Sequence, residues 1–131
     1  MSNKPSFDKV LSSAVDVILN NKINREIKAI LLFGSHADGT AIWRSDIDIC
    51  VVFKKDVTDK EAFLFRKNLL GQLPDMVDLQ VFNVLPQKIK RAIAENHKTL
   101  FQSKDFEDIT FTRVNQELYF ELERRIGAMG T

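Results

Sequence analysis

The sequence has 131 residues, an ordinary length for one compact domain, and its 44% hydrophobic and 28% charged side chains exclude a disordered or fibrous chain. Lys and Arg number 19 against 18 Asp and Glu, and the resulting formal charge of +1 excludes a general nucleic-acid or membrane-surface binder driven by bulk charge. The single cysteine, Cys50, precludes an internal disulfide and agrees with a reducing compartment. No apolar run approaches membrane-spanning length and the N-terminus lacks the apolar core of a signal peptide, so the expectation is a cytoplasmic protein without a membrane partner, one domain over residues 1–131.

In chain order, Phe7, Val10, Leu11, Ala14, Val15 and Ile18 form one apolar stripe at helical spacing, which predicts a helix from about Ser6 to Asn20. The block from Ile27 to Phe33 is short, apolar and bounded by Gly34, which predicts a buried strand. Gly34-Ser35 then turns into a short helix or loop over His36 to Arg44. Asp46 to Phe53 is rich in β-branched residues and suits a second strand. A helix is expected over Asp59 to Leu73, with Phe63, Leu64, Leu69, Leu70 and Leu73 on one broad side and Pro74 as its stop. Met76 to Val84 alternates as a third strand, Val77, Leu79 and Val81 facing one way and Asp78, Gln80 and Phe82 the other. Pro86 opens a helix to Asn96, and a further helical stripe runs from about Phe106 to Ile126. This order predicts a small α/β (α+β) fold, a mixed sheet packed with helices.

Three acids carry the chemistry: Asp46, Asp48 and Asp78. On a strand, residues i and i+2 share a face with α-carbons roughly 6.5 Å apart, so the first two carboxylates can converge on divalent ions. Ile47 and Ile49 then point into the core. Asp78 joins them if its strand is adjacent. Three clustered carboxylates repel one another unless a cation sits among them, and oxygen ligands without His or Cys favour Mg²⁺ or Mn²⁺. Gly34 and Ser35, where a strand meets what should be a helix N-terminus, offer backbone N–H groups and a hydroxyl to phosphate oxygens.

Gly34-Ser35, ten intervening residues and Asp46-Ile47-Asp48 together resemble the signature of the polymerase-beta-like nucleotidyltransferases. Ser45 to Asp48, with Ala37 and Gly39, are most similar to the minimal nucleotidyltransferase branch, and the resemblance runs from about Ile30 to Phe82. It implies that Asp46 and Asp48 bind two Mg²⁺ ions. Asp78 would bind the catalytic one and help deprotonate an attacking hydroxyl, and Gly34 and Ser35 would hold the β- and γ-phosphates of ATP. It also implies a partner, a helical HEPN-type toxin whose tyrosine is adenylylated by the antitoxin. One departure is Asp38, where such sequences commonly carry Arg. An acid there weakens triphosphate binding unless it points away, and Arg44 is the candidate to compensate.

Other residues have plainer readings. Trp43 and Arg44 suit either nucleotide stacking or loop packing. His36 reads as a loop residue, His97 as a surface helix-end residue and Cys50 as a small core hydrophobe. Arg113, Arg124 and Arg125 suit a solvated helix face. The aromatic residues near the C-terminus suit core or a partner-binding face. After Phe82 fewer than fifty residues remain, which favours an acceptor held by a partner. A non-catalytic antitoxin that acts by binding, and an aminoglycoside-type small-molecule transferase, are the competing functions.

Overall fold

A computed structural model describes residues 6–21 and 26–103. The expected tail helix from Phe106 to Ile126 lies outside them. Helix α1 spans Phe7–Leu19, with the Ser6 hydroxyl accepting from the Lys9 amide to cap it. Strand β1 is Ile27–Phe33, followed by the single turn α2, Ser35–Asp38, and strand β2, Ile47–Phe53. Helix α3 is Asp59–Leu70, strand β3 Val77–Val81, and a 3₁₀ turn covers Phe82–Val84. Helix α4, Gln87–Glu95, and strand β4, Lys98–Gln102, complete the described chain.

The strands form one mixed sheet in the order β3-β2-β1-β4, with β1 antiparallel to β2 and β4 and β2 parallel to β3. Parallel neighbours need a crossover of a dozen or so residues, and α3 supplies it. Alternation sorts each strand onto two faces. Ile47, Ile49 and Val51 of β2 and Val77, Leu79 and Val81 of β3 pack with Val10, Ala14 and Ile18 of α1 and Ala62, Phe65 and Leu69 of α3. The other face is smaller: Ala29, Leu31, Cys50 and Val52 meet Phe82 and Ile93. Cys50 is therefore a buried apolar filler, as expected. The acids project on this second face, where α4 covers only part of the sheet.

Four expectations need correction. Helix α3 stops at Leu70 with Gly71 as its cap, short of Leu73. Its buried stripe is Ala62, Phe65 and Leu69, spaced by three and four, while Phe63, Leu64 and Leu70 are exposed. The third strand ends at Val81 because the chain turns into the 3₁₀ segment, which carries Phe82 into the core. Strand β4 was not expected: KTLFQ has two exposed polar residues at its start and too little alternation to stand out. None of the helices among the described residues is long and apolar enough to cross a membrane.

Candidate active site

The site begins where β1 runs out. Gly34 sits at φ 71°, ψ −151°, a backbone region open to glycine and strained for other residues. A Cβ placed there would collide with the Asp48 carboxylate, so the missing side chain at Gly34 is the space that Asp48 occupies. The amides of Ala37 and Asp38 donate to the Gly34 carbonyl at 3.0 and 3.1 Å, and those of Thr40 and Ala41 to the Ser35 carbonyl at 3.1 and 3.0 Å. Gly39, at φ 84°, closes the turn. The expected helix N-terminus is thus a single four-residue turn, whose peptide dipoles sum to far less than those of a full helix. Any phosphate contact here rests on the corner's backbone and the Ser35 hydroxyl.

The acids come from the two strands beyond. Asp46 lies one residue ahead of β2, so it belongs to the entering loop and not to the strand as expected. Asp48 is the Cα partner of Phe33 in β1 and of Asp78 in β3. In-register neighbours project on the same face of a sheet, so Asp48 and Asp78 stand side by side. Burial pushes the Asp48 carboxyl above its usual range, the negative charges of Asp78 and Asp46 push it further, and His36 pulls it the other way. Asp78 is exposed on its edge strand and accepts from Gln80 Nε2 at 3.4 Å. The sheet therefore gathers Asp46, Asp48 and Asp78 beside Gly34.

Among the described residues, no group of three His, Cys, Asp or Glu side chains stands ready around a metal position. The donor set nonetheless suits a hard divalent cation: three carboxylates without a soft ligand, with Asp48 destabilised by its acidic neighbours.

Asp38 does not aim an unengaged carboxylate at the corner. Its Oδ1 accepts from the Thr40 hydroxyl at 2.5 Å and the Thr40 amide at 3.0 Å, and these bonds hold its carboxyl below the usual range. It still lines, with Phe33, Gly34, Ile89 and Glu95, a cleft of ≈ 410 Å³ between the corner and α4. The guanidinium of Arg44 lies 4.9 Å from the centroid of the Trp43 ring, an exposed stacked pair just ahead of Asp46. A second, more apolar cleft of ≈ 300 Å³ lies between α3 and β3, lined by Phe63, Arg66, Leu70, Leu73 and Val77, with Asp78 among its walls.

Two features escape sequence reasoning because spacing carries no sign of them. The His36 ring stacks on Phe7 of α1 and its Nε2 lies 3.3 Å from the Ser45 carbonyl. The Asn83 side chain accepts from the Phe53 amide at 2.9 Å and donates to the Phe53 and Lys55 carbonyls at 3.1 and 3.3 Å, pinning the far end of β2.

The model of the family described as Polymerase beta, Nucleotidyltransferase matches residues 15–106. A Methanocaldococcus jannaschii protein named as a protein adenylyltransferase is 40% identical over 76 residues, a match covering 58% of this chain and 57% of that relative. The chain thus matches little more than half the relative's length. Among solved structures, a toxin-antitoxin with AMP-PNP superposes at a TM-score of 0.64 and 22% identity, covering 91% of this chain and 94% of that one. A Shewanella oneidensis tri-AMPylated HEPN toxin in complex with an MNT antitoxin gives 0.62 and 17%, covering 93% of each chain. An Enterococcus faecialis spectinomycin adenyltransferase with ATP and spectinomycin gives 0.53 and 13%, covering 93% of this chain and 68% of that one. At these identities the structural likeness speaks for the fold.

Proposed function

Because the chain belongs to the polymerase-beta nucleotidyltransferase family, we propose that it transfers AMP from ATP to a hydroxyl, a tyrosine on a HEPN-type partner, as the antitoxin of a toxin–antitoxin pair. The observation that carries this reading is the in-register pairing of Asp48 with Asp78 beside Gly34. It places two carboxylates from different strands next to a corner that can hold phosphate.

In this reading Asp46 and Asp48 would hold two Mg²⁺ ions, with Asp78 a ligand to the catalytic one. Such ions would offset the charge of the triphosphate and polarise its α-phosphoryl group. The Gly34 backbone and Ser35 hydroxyl orient the β- and γ-phosphates, and Arg44 adds a cation from the preceding loop. Asp78 accepts the proton of the attacking hydroxyl. A bond forms between that oxygen and the α-phosphorus, the bond from the α-phosphorus to the bridging oxygen breaks, and pyrophosphate leaves. The relative named as a protein adenylyltransferase and the similar structure with AMP-PNP support ATP as the donor. The HEPN toxin in the second similar structure supports the choice of partner.

The test is to incubate the protein with Mg²⁺, ATP labelled at its α-phosphate and a purified HEPN-type protein. Label is expected on that protein and is expected to vanish with Asp46→Ala plus Asp48→Ala. Asp78→Asn should lower kcat by about 10²–10⁴-fold, the usual worth of a positioned general base. A second reading draws on the acidic lining that Asp38 and Glu95 give the cleft beside Gly34, which is unfavourable to a triphosphate: the same surface neutralises the partner by binding alone. Undiminished neutralisation by the double variant would favour that reading. Turnover with an aminoglycoside and no protein acceptor would favour a small-molecule transferase.

A further inference from the structure

We infer that His36 is a positioning residue for Asp46: it fixes the peptide plane that leads into that acid, and through it the direction in which the carboxylate points. The inference rests on the proposed role of Asp46 as a metal ligand.

Asp46 precedes β2, so no strand pairing of its own holds it. Its side chain is aimed by the two peptide units on either side of its α-carbon. The later unit is pinned by the sheet, where the Ile47 amide donates to the Met76 carbonyl at 2.8 Å. The earlier unit contains the Ser45 carbonyl, which accepts from His36 Nε2 at 3.3 Å. Since a carbonyl can only accept, Nε2 is the donor in this contact. Ser45 is tethered on its other side as well: its amide donates to the Ile42 carbonyl and its hydroxyl accepts from the Ile42 amide, both at 2.9 Å. The loop is thus closed on itself and joined by His36 to the turn that carries Ser35. The ring in turn stacks on Phe7, at 4.8 Å between centroids and 19° between planes. One brace therefore runs from α1 through the Gly34-Ser35 corner to Asp46, three parts that lie far apart in sequence.

Outer contacts that orient a ligand are typically worth 10–100-fold in metal affinity. Two variants separate the hydrogen bond from the packing. His36→Phe keeps a ring against Phe7 and removes the donor. His36→Gln removes the ring but carries an amide nitrogen about as far along the side chain as Nε2. Mn²⁺ binding is followed by electron paramagnetic resonance with AMP-PNP present, beside thermal melting and the Mg²⁺ dependence of the reaction. His36→Phe should weaken Mn²⁺ binding about tenfold or more and raise the Mg²⁺ needed for half-maximal rate. His36→Gln should recover most of that affinity. Phe7→Leu, at a partly exposed helix end, gives a smaller loss in the same direction and keeps the question open to measurement if His36→Phe fails to fold. Equal Mn²⁺ affinity in His36→Phe and the parent, or equal losses in His36→Phe and His36→Gln, would overturn the inference. Asp46→Ala separates the two levels. If it binds Mn²⁺ as the parent does, the ligand role of Asp46 fails and the inference with it; if it loses affinity while His36→Phe does not, only the brace fails.

Discussion

Gly34 does two jobs that a side chain would spoil together. Its backbone lies in a region that costs other residues about 1–3 kcal/mol, and its missing Cβ leaves the space filled by the Asp48 carboxylate. Gly34→Ala should therefore cost about 1–3 kcal/mol in denaturant unfolding, and the displaced carboxylate should lower transfer by about 10²-fold, the usual penalty for misplacing a reacting group by about 1 Å. Asp48 makes a second prediction, from its charge. Its carboxyl is raised above the reference of 3.8 by burial and by the neighbouring acids, so the folded state binds the proton more tightly than the unfolded one. Stability then falls as pH climbs from that reference through the raised value, and the full penalty is present at neutral pH. Asp48→Asn removes the penalty. Without divalent ions at pH 7 it should melt above the parent while losing transfer, and the difference should narrow on acidification. Equal melting curves at both pH values would contradict this account of the carboxylate's surroundings.

Helix α3 shows what an element owes to packing and what to local signals. Thr58 and Glu61 form a reciprocal capping box, their side chains and amides paired at 3.1 Å both ways, and the helix starts at Asp59 as expected. The buried stripe is not legible in the sequence, because the helix is apolar on more than one side. Leu70 and Phe63 fit a helical face as well as Phe65 and Leu69 do, and the sheet position alone chooses between them. Phe65 meets Phe53 edge-on at 4.9 Å, deep in the core. Phe65→Ala should cost about 3–5 kcal/mol, whereas Phe63→Ala, on the exposed side, should change stability by less than about 0.5 kcal/mol; urea titration of both checks the assignment. The strands β1, β2 and β3 were readable for a related reason. Each sits in a short apolar or alternating run whose period gives the face, and Gly34 marks where the first run ends. Strand β4 and the His36 and Asn83 contacts were not, since a partner at a distance of nine or thirty residues leaves no trace in local spacing.

Across the whole molecule, the sheet order sets what can meet what. Phe33, Asp48 and Asp78 lie abreast on three neighbouring strands, so the Gly34 corner and both strand-borne acids share one end of the sheet. Strands β2 and β3 are parallel, and Asp48 and Asp78 stand 30 positions apart along the chain (78 − 48 = 30). The pair is assembled only after the α3 crossover has folded back onto the sheet. An unfolded chain has no comparable chelate, so a divalent ion that binds the native acids acts as a one-sided ligand and raises the unfolding midpoint with the logarithm of its concentration. Titrating Mn²⁺ against urea unfolding should show this dependence in the parent and lose it in Asp48→Asn.

The parallel pairing has a consequence for how the protein comes to life on the ribosome. A nascent chain that has emerged only as far as β2 already displays the Gly34 corner, Asp46 and Asp48, yet its third carboxylate is still in the exit tunnel. Any premature stop before Val77 thus yields a fragment carrying most of the signature and no complete acidic cluster. Such a fragment has one edge of β2 bare of its parallel neighbour, a row of unpaired backbone groups that invites aggregation.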